Sequence, residues 1–487
     1  MSAAAAAQLQ RFRAQLFAAT WLSYFGFYVC RKAYSVLKRP LKDLLGLDDV
    51  HVAWPWTIFL ITYMLGQFLA AWLGRRMESR RVLAYGMLVT AACNIALGWL
   101  VDAHHASAFL WICVSMGIHG FAQATGWPHN VALFANWTHR SERGTLFSLW
   151  GSCYQAGAIV GKGLAAFMLG WLGMAWSYYG SSILMFAITA LFIFWARERP
   201  QSVGLSLQDD AEPDVPPPMS AARAAAAGNS ALAEAPLPSG WVSSIVAMGL
   251  IYFGFKFLRY ALDSWSALIL GEQFGMSTSV AGYWSAAFDW IGFLGVIAAG
   301  VWSDRLPGAR RTPVIFWMSL GCLACTSLMW VFGLSSVVIF ILLLSLIGFS
   351  AMGPDSLLSG ACAMDAGNRR QAALAAGIIN GLGSIGPIVQ EPVIGWLKQT
   401  HGIDAVFLLL VVVVFLTTVG TGLLARYERG RLKQTGQLFV EPRSFLASEY
   451  MHNPTAAHGE AARNQRTELL AVDGGKIRYA YQQTSWQ

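Results

Sequence analysis

Arg31 and Lys32 interrupt an otherwise apolar run between residues 15 and 37, and Lys256 and Arg259 interrupt another between 241 and 270. Runs of that length are membrane helices, and a charged side chain near the bilayer centre costs roughly 2.5–3.5 kcal/mol on insertion scales. Such a charge is kept where it faces a polar cavity and binds something. A guanidinium is a rigid fork of donors that meets phosphate oxygens two at a time. Two guanidiniums left empty would repel each other, and a doubly charged anion between them relieves both costs. The alternative is an arginine that pairs with a carboxylate or snorkels to the headgroups. Lys256 lies one helical turn before Arg259, hence on the same face. Asp289, in "SAAFDWIGF", is a further intramembrane charge. It could hold Arg259 or Lys256 when no anion is bound, or pair only structurally.

Other chemistries find less support. Gly381, Gly383 and Gly386 spell G-x-G-x-x-G, but no strand precedes them and no acidic residue follows at dinucleotide spacing. Cys322 and Cys325 form a C-x-x-C on an apolar helix with no partner pair. All seven cysteines lie in apolar segments and read as small buried residues. No metal motif, nucleophile elbow or phosphate loop is present, so neither an enzyme, a cofactor nor a metal is expected.

The elements that must position these charges follow from composition. Of 487 residues, 56% are hydrophobic and 12% charged, whereas a water-soluble chain carries about 25% charged residues. Lipid is therefore the outer solvent, and segments of about 20 residues indicate helices rather than barrel strands. Apolar segments fall at 15–37, 51–74, 82–101, 107–136, 144–170 and 176–196, then at 241–270, 278–303, 312–332, 335–362, 371–397 and 404–425. The expected organisation is an N-terminal six-helix half (1–196), a Pro-, Ala- and Ser-rich linker (197–240), a C-terminal six-helix half (241–426) and a tail (427–487). Arg75, Arg76, Arg80, Arg81, Arg140, Arg143, Arg305, Arg310, Arg311, Arg369 and Arg370 all fall on the side of both termini. The positive-inside rule makes that side cytoplasmic. The net charge of +8 then belongs to loops and calls for no nucleic acid. Two halves with both ends on one side suggest parallel repeats around a midplane site, with Arg31 and Arg259 at comparable places in the first helix of each.

Several blocks resemble the organophosphate:phosphate antiporter family of the major facilitator superfamily, over about residues 15–430. "YVCRKAYSVLKRPL" (28–41) resembles the family's first helix, and "GWPHNVALFANWTHRSERGTLFSLW" (126–150) its Gly-Trp-Pro block and following helix. "RERPQSVGL" (197–205) is similar to the exit from helix six, "FLRYALDSWSALIL" (257–270) to helix seven, and "GVWSDRLPGARR" (300–311) to the G-x-x-x-D-R loop. "GPDSLLSGACAMDAG" (353–367) and "IINGLGSIGP" (378–387) resemble the sugar-phosphate exchanger branch.

The resemblance implies an all-α fold of 12 transmembrane helices in two six-helix halves, with Arg31 and Arg259 as the phosphate clamp. It implies a site role for Tyr28, three residues before Arg31, and an acidic residue at Asp289. Several positions depart from the family. Lys256 stands where members commonly have tyrosine, and Gln67 stands where many carry lysine, so Lys256 is expected to replace the missing cation from the opposite half, the alternative being a pairing with Asp289 or another buried carboxylate. Cys153 and Tyr154 occupy the neighbourhood of a helix-five histidine; Tyr154 can donate to phosphate but does not titrate near neutral pH. Asp304 and Arg305 resemble the superfamily's gating loop, whose first-half counterpart carries Arg75 where Asp is expected. Lys162, His119, Asp355 and Glu391 lie in helical segments without an assigned place in the pocket.

The function implied is exchange of an organic phosphate for inorganic phosphate by alternating access, in a monomer in a bacterial inner membrane. A transporter-like sensor and a porter of a non-phosphate organic anion remain open at this point.

Overall fold

The computed structural model describes residues 3–103, 107–138, 146, 149–205, 241–306, 311–362, 369–434, 472, 473, 476 and 477. In a bilayer every backbone polar group must be satisfied within the chain, which makes each long apolar run a helix. In the first half these are α1 (Ala3–Leu45), α2 (Asp49–Leu73), α3 (Ser79–Asp102), α4 (Ala108–Asn136, broken at Thr125), α5 (Ser152–Leu172) and α6 (Met174–Trp195). In the second they are α7 (Trp241–Phe274), α8 (Thr278–Ser285 continuing as Ala287–Arg305), α9 (Arg311–Phe332), α10 (Val337–Ser356), α11 (Arg369–His401) and α12 (Ile403–Gln434). A π-helical turn, Leu357–Ala361, ends α10.

Among the described residues, ten helices are long and apolar enough to cross a membrane by length and composition. α1 carries Arg31, Lys32 and Lys38, and α11 carries the pair Gln390 and Glu391.

The two halves repeat one design. Gly46 and Gly275 take positive φ just after the first helix of each half, and Gly173 and Gly402 do so after the fifth. An L side chain is strained in that region, so glycine makes these short turns. Both glycine pairs have the same sequence offset, and Arg31 and Arg259 share it to within one residue.

The halves meet through α1 with α7, α2 with α11, and α5 with α8. Small residues bring these backbones together. A Cβ on Gly395 of α11 would lie 2.5 Å from Asp49 O, and one on Gly282 of α8 would lie 2.8 Å from Val36 Cγ1 and 2.9 Å from Ala166 Cβ.

Residues 197–205, expected to begin the linker, are instead ordered. The Glu198 carboxylate accepts from Ser79 N (3.1 Å) and Arg80 N (2.8 Å), supplying the N-terminal cap that Glu78 does not make for α3. Trp137 Nε1 donates to Arg197 O at 3.0 Å. The rest of the expected linker, Arg140, Arg143, Arg310 and most of the expected tail lie outside the described residues. Residues 440–487 form a separate unit, in which Val472–Asp473 pairs antiparallel with Lys476–Ile477.

Candidate functional site

Arg31 is buried on α1, with a relative exposure of 5%. Its Nε donates to Gln123 Oε1 at 2.6 Å, and Gln123 is itself held by donating Nε2 to Phe27 O at 2.9 Å and by His119 Nε2 at 2.7 Å. The guanidinium lies 4.3 Å from the Tyr28 ring centre, 5.1 Å from Tyr63 and 5.6 Å from Phe59. Aromatic faces stabilise a cation without neutralising it. Nη2 has no hydrogen-bond partner, and Arg31 makes no ion pair among the described residues. A desolvated, partly unsatisfied cation of this kind is poised for an anion.

Arg259 comes from α7 in the other half. Its Nη1 donates to Asp355 Oδ2 at 2.7 Å. The Tyr154 and Tyr260 rings lie 5.9 and 5.8 Å from its guanidinium carbon. Tyr28 and Tyr154 stand 5.7 Å apart, centre to centre, so an aromatic bridge runs from Arg31 to Arg259. Tyr28 and Tyr260 both lie within the electrostatic reach of both arginines. Lys256 donates to Ser384 Oγ at 3.3 Å and stands 4.5 Å from the Tyr252 ring, with no carboxylate bonded to it among the described residues.

Of the two alternatives for Asp289, holding Arg259 or Lys256 or pairing structurally, the structure shows a pairing with Lys162. α8 lies against α5, which turns Asp289 toward Lys162; Lys162 Nζ bonds Asp289 Oδ2 at 2.7 Å and meets Asp263 Oδ1 at 2.8 Å. The acid that holds Arg259 is Asp355. Gln67 is half-buried on α2, one turn beyond Tyr63, and takes no part in the bonds that hold either arginine. Arg305, at the end of α8, is exposed, and the side chain of Asp304 lies outside the described residues.

Three groups of opposite charges tie the halves together, all displaced from the arginines toward the end opposite the linker. Lys32 and Lys162 face Asp263 and Asp289. Next, Lys38 pairs with Glu391, which also accepts from Ser264 Oγ, Trp265 Nε1 and Gln390 Nε2. Outermost, Lys42 and Lys398 share Asp49 and Glu272 at 2.6–3.0 Å. Each group balances its own charge. Asp263, Gln123, Tyr63 and Tyr260 were not singled out from sequence. A polar residue at one-turn spacing from a charged or aromatic one, as Asp263 is from Arg259, was the available signal.

Among the described residues no three His, Cys, Asp or Glu side chains form a group suited to a metal. The fold is that of a transporter by comparison as well. The Major Facilitator Superfamily family model matches residues 16–390 and 248–458. Sugar phosphate exchanger 3 of Bos taurus is 27% identical over 410 residues, covering 79% of this chain and 81% of the relative. A "Probable hexose phosphate transport protein" of Chlamydia pneumoniae is 25% identical over 377 residues, covering 75% and 80%. The crystal structure of a bacterial homolog of the human lysosomal transporter Spinster superposes with a TM-score of 0.67 at 14% identity, over 85% of this chain and 97% of that one, which shows the shared fold. The chain is an integral membrane protein of the Major Facilitator Superfamily, and its curated relatives are those of the organophosphate:phosphate antiporter family.

Proposed function

We propose that this protein exchanges an organic phosphate ester for inorganic phosphate by alternating access. The observation that carries the reading is Arg31: a buried guanidinium with a free Nη2, aromatic walls and, among the described residues, no carboxylate, joined through Tyr28 and Tyr154 to Arg259 of the other half. Phosphate oxygens satisfy Nη2, and Lys256 and Arg259 neutralise the remaining charge. Tyr28 and Tyr154 position the anion, and Gln67 lines the approach one turn nearer the linker end. Asp289 contributes through Lys162. The names of the relatives, a sugar phosphate exchanger and a hexose phosphate transport protein, support this class of guest.

The balanced charges at the end opposite the linker hold the halves together there, so the guest enters and leaves from the linker end in this conformation. By the distribution of arginines that end is cytoplasmic, with both termini, in a bacterial plasma membrane. Asp304 and Arg305 close it in the alternate state. The carrier works as a monomer, its halves at 1–196 and 241–426 rocking about the site. Reorienting without a guest leaves Arg31 buried and unpaired, which favours exchange over one-way transport.

Liposomes loaded with inorganic phosphate and containing the purified protein should take up labelled glycerol 3-phosphate or glucose 6-phosphate, and liposomes without internal phosphate should not. Binding without flux would make the protein a sensor. Flux of a carboxylate that phosphate does not inhibit would make it a different porter.

A further inference from the structure

Three cations surround the candidate site, and among the described residues only one of them has an acid. Arg31 and Lys256 bond neutral groups, whereas Arg259 bonds Asp355. The neighbouring Lys32, Lys162, Asp263 and Asp289 balance one another and leave the count unchanged. Arg31, Lys256, Arg259 and Asp355 together therefore carry two net positive charges. A phosphate monoester carries about −1.5 to −2 at neutral pH, so one phosphate group matches that charge.

The setting of Asp355 is unusual. It follows Pro354 near the end of α10, and the helix changes there into the π-helical turn Leu357–Ala361. Single π turns occur frequently at functional sites. Its side chain is only 7% exposed, and Oδ1 is buried without a hydrogen-bond partner. The field of this carboxylate reaches Lys256 and Tyr154 as well as Arg259. A carboxylate that served only to anchor an arginine would be better satisfied with both oxygens engaged.

Resting on the phosphate reading above, we propose that Asp355 determines charge specificity: by remaining on Arg259 it holds the site at two net positive charges and selects guests with one phosphate group over bisphosphates. Removing its charge adds a third uncompensated cation and makes room electrostatically for a second phosphate.

The test uses the full chain in nanodiscs, with labelled inorganic phosphate displaced by glucose 6-phosphate or by fructose 1,6-bisphosphate. Wild type should favour the monophosphate. Asp355→Asn should narrow that preference by about tenfold or more, the scale of a single close charge pair. Asp355→Glu should keep the wild-type preference. Gln67→Lys adds a cation without touching the Arg259–Asp355 pair and should shift the preference in the same direction as Asp355→Asn. It also serves if the asparagine variant does not fold. A wild type without preference, or variants that weaken both guests equally, would overturn the role of Asp355. A wild type that binds no phosphate at all would overturn the reading of the site itself, and this proposal with it.

Discussion

Lys38 and Glu391 form an ion pair across the two halves in which neither side chain has any solvent exposure. The Lys38 ammonium also donates to Ser264 Oγ at 2.7 Å and lies 3.9 Å from the Trp265 ring centre. Breaking a buried pair by removing one partner strands the other charge, at a cost of about 3–5 kcal/mol. Lys38→Met and Glu391→Met should each lower the thermal unfolding midpoint of the purified protein sharply. The double variant should recover most of the loss, since apolar side chains can replace the whole pair. Additive single effects would mean that the two charges do not depend on each other.

Lys162 bridges Asp263 and Asp289, so it joins α5 of one half to α7 and α8 of the other. Lys162→Ala leaves Asp263 with Lys32, and leaves Asp289 with no bonded cation among the described residues. The closed end should loosen, shifting the population toward the state open at that end. A reporter cysteine replacing Ser266, which is fully buried on α7, would then react faster with a water-soluble thiol reagent in a background lacking the native cysteines. An unchanged rate would remove the locking role.

The helices are legible in the sequence because lipid demands long apolar runs, and Arg31, Lys256 and Arg259 stand out because a charge in such a run is conspicuous. Which acid meets which base is not legible there. In a soluble helix the polar face marks which side is solvated, but a membrane helix is apolar on nearly every side and its rotation is unmarked. Sequence alone therefore leaves Asp289 open between holding Arg259 or Lys256 and a structural pairing, whereas its face turns to Lys162, and it gives Asp355 no assigned place. Helix ends were blurred for a similar reason. The alanine-rich start of α1 and the charged end of α12 lack apolar signal but have good helix formers. Residues 197–205 read as linker by composition, whereas the Glu198 carboxylate caps α3.

Arg31→Lys keeps the charge but loses the planar fork, so the Gln123 bond and the free Nη2 cannot both be reproduced. Hydrogen bonds to charged groups are worth about 1.5–3 kcal/mol, which is roughly a 10–100-fold rise in the KM for the proposed phosphate exchange. Counterflow in liposomes measures it. An unchanged KM would show that the guest senses only charge at this position.

The position of Tyr28 and Arg31 depends on how closely α1 approaches α5. A Cβ on Gly157 would fall 2.5 Å from Phe25 O and 2.7 Å from Tyr28 Cβ, and one on Gly161 would fall 2.8 Å from Val29 Cα. These neighbours are largely backbone and cannot yield without the helices moving apart. Gly157→Ala and Gly161→Ala should each cost about 1–3 kcal/mol of stability, as overpacking does, and should reduce transport by displacing Tyr28. Gly163 is the matched control, with open space where its Cβ would be. Gly163→Ala, in the same helix, should be neutral or stabilising by roughly 0.5–1 kcal/mol through backbone entropy alone. Thermal unfolding and liposome uptake on the three variants separate the effects. If all three behave alike, helix propensity rather than the approach of α5 to α1 governs this part of the site.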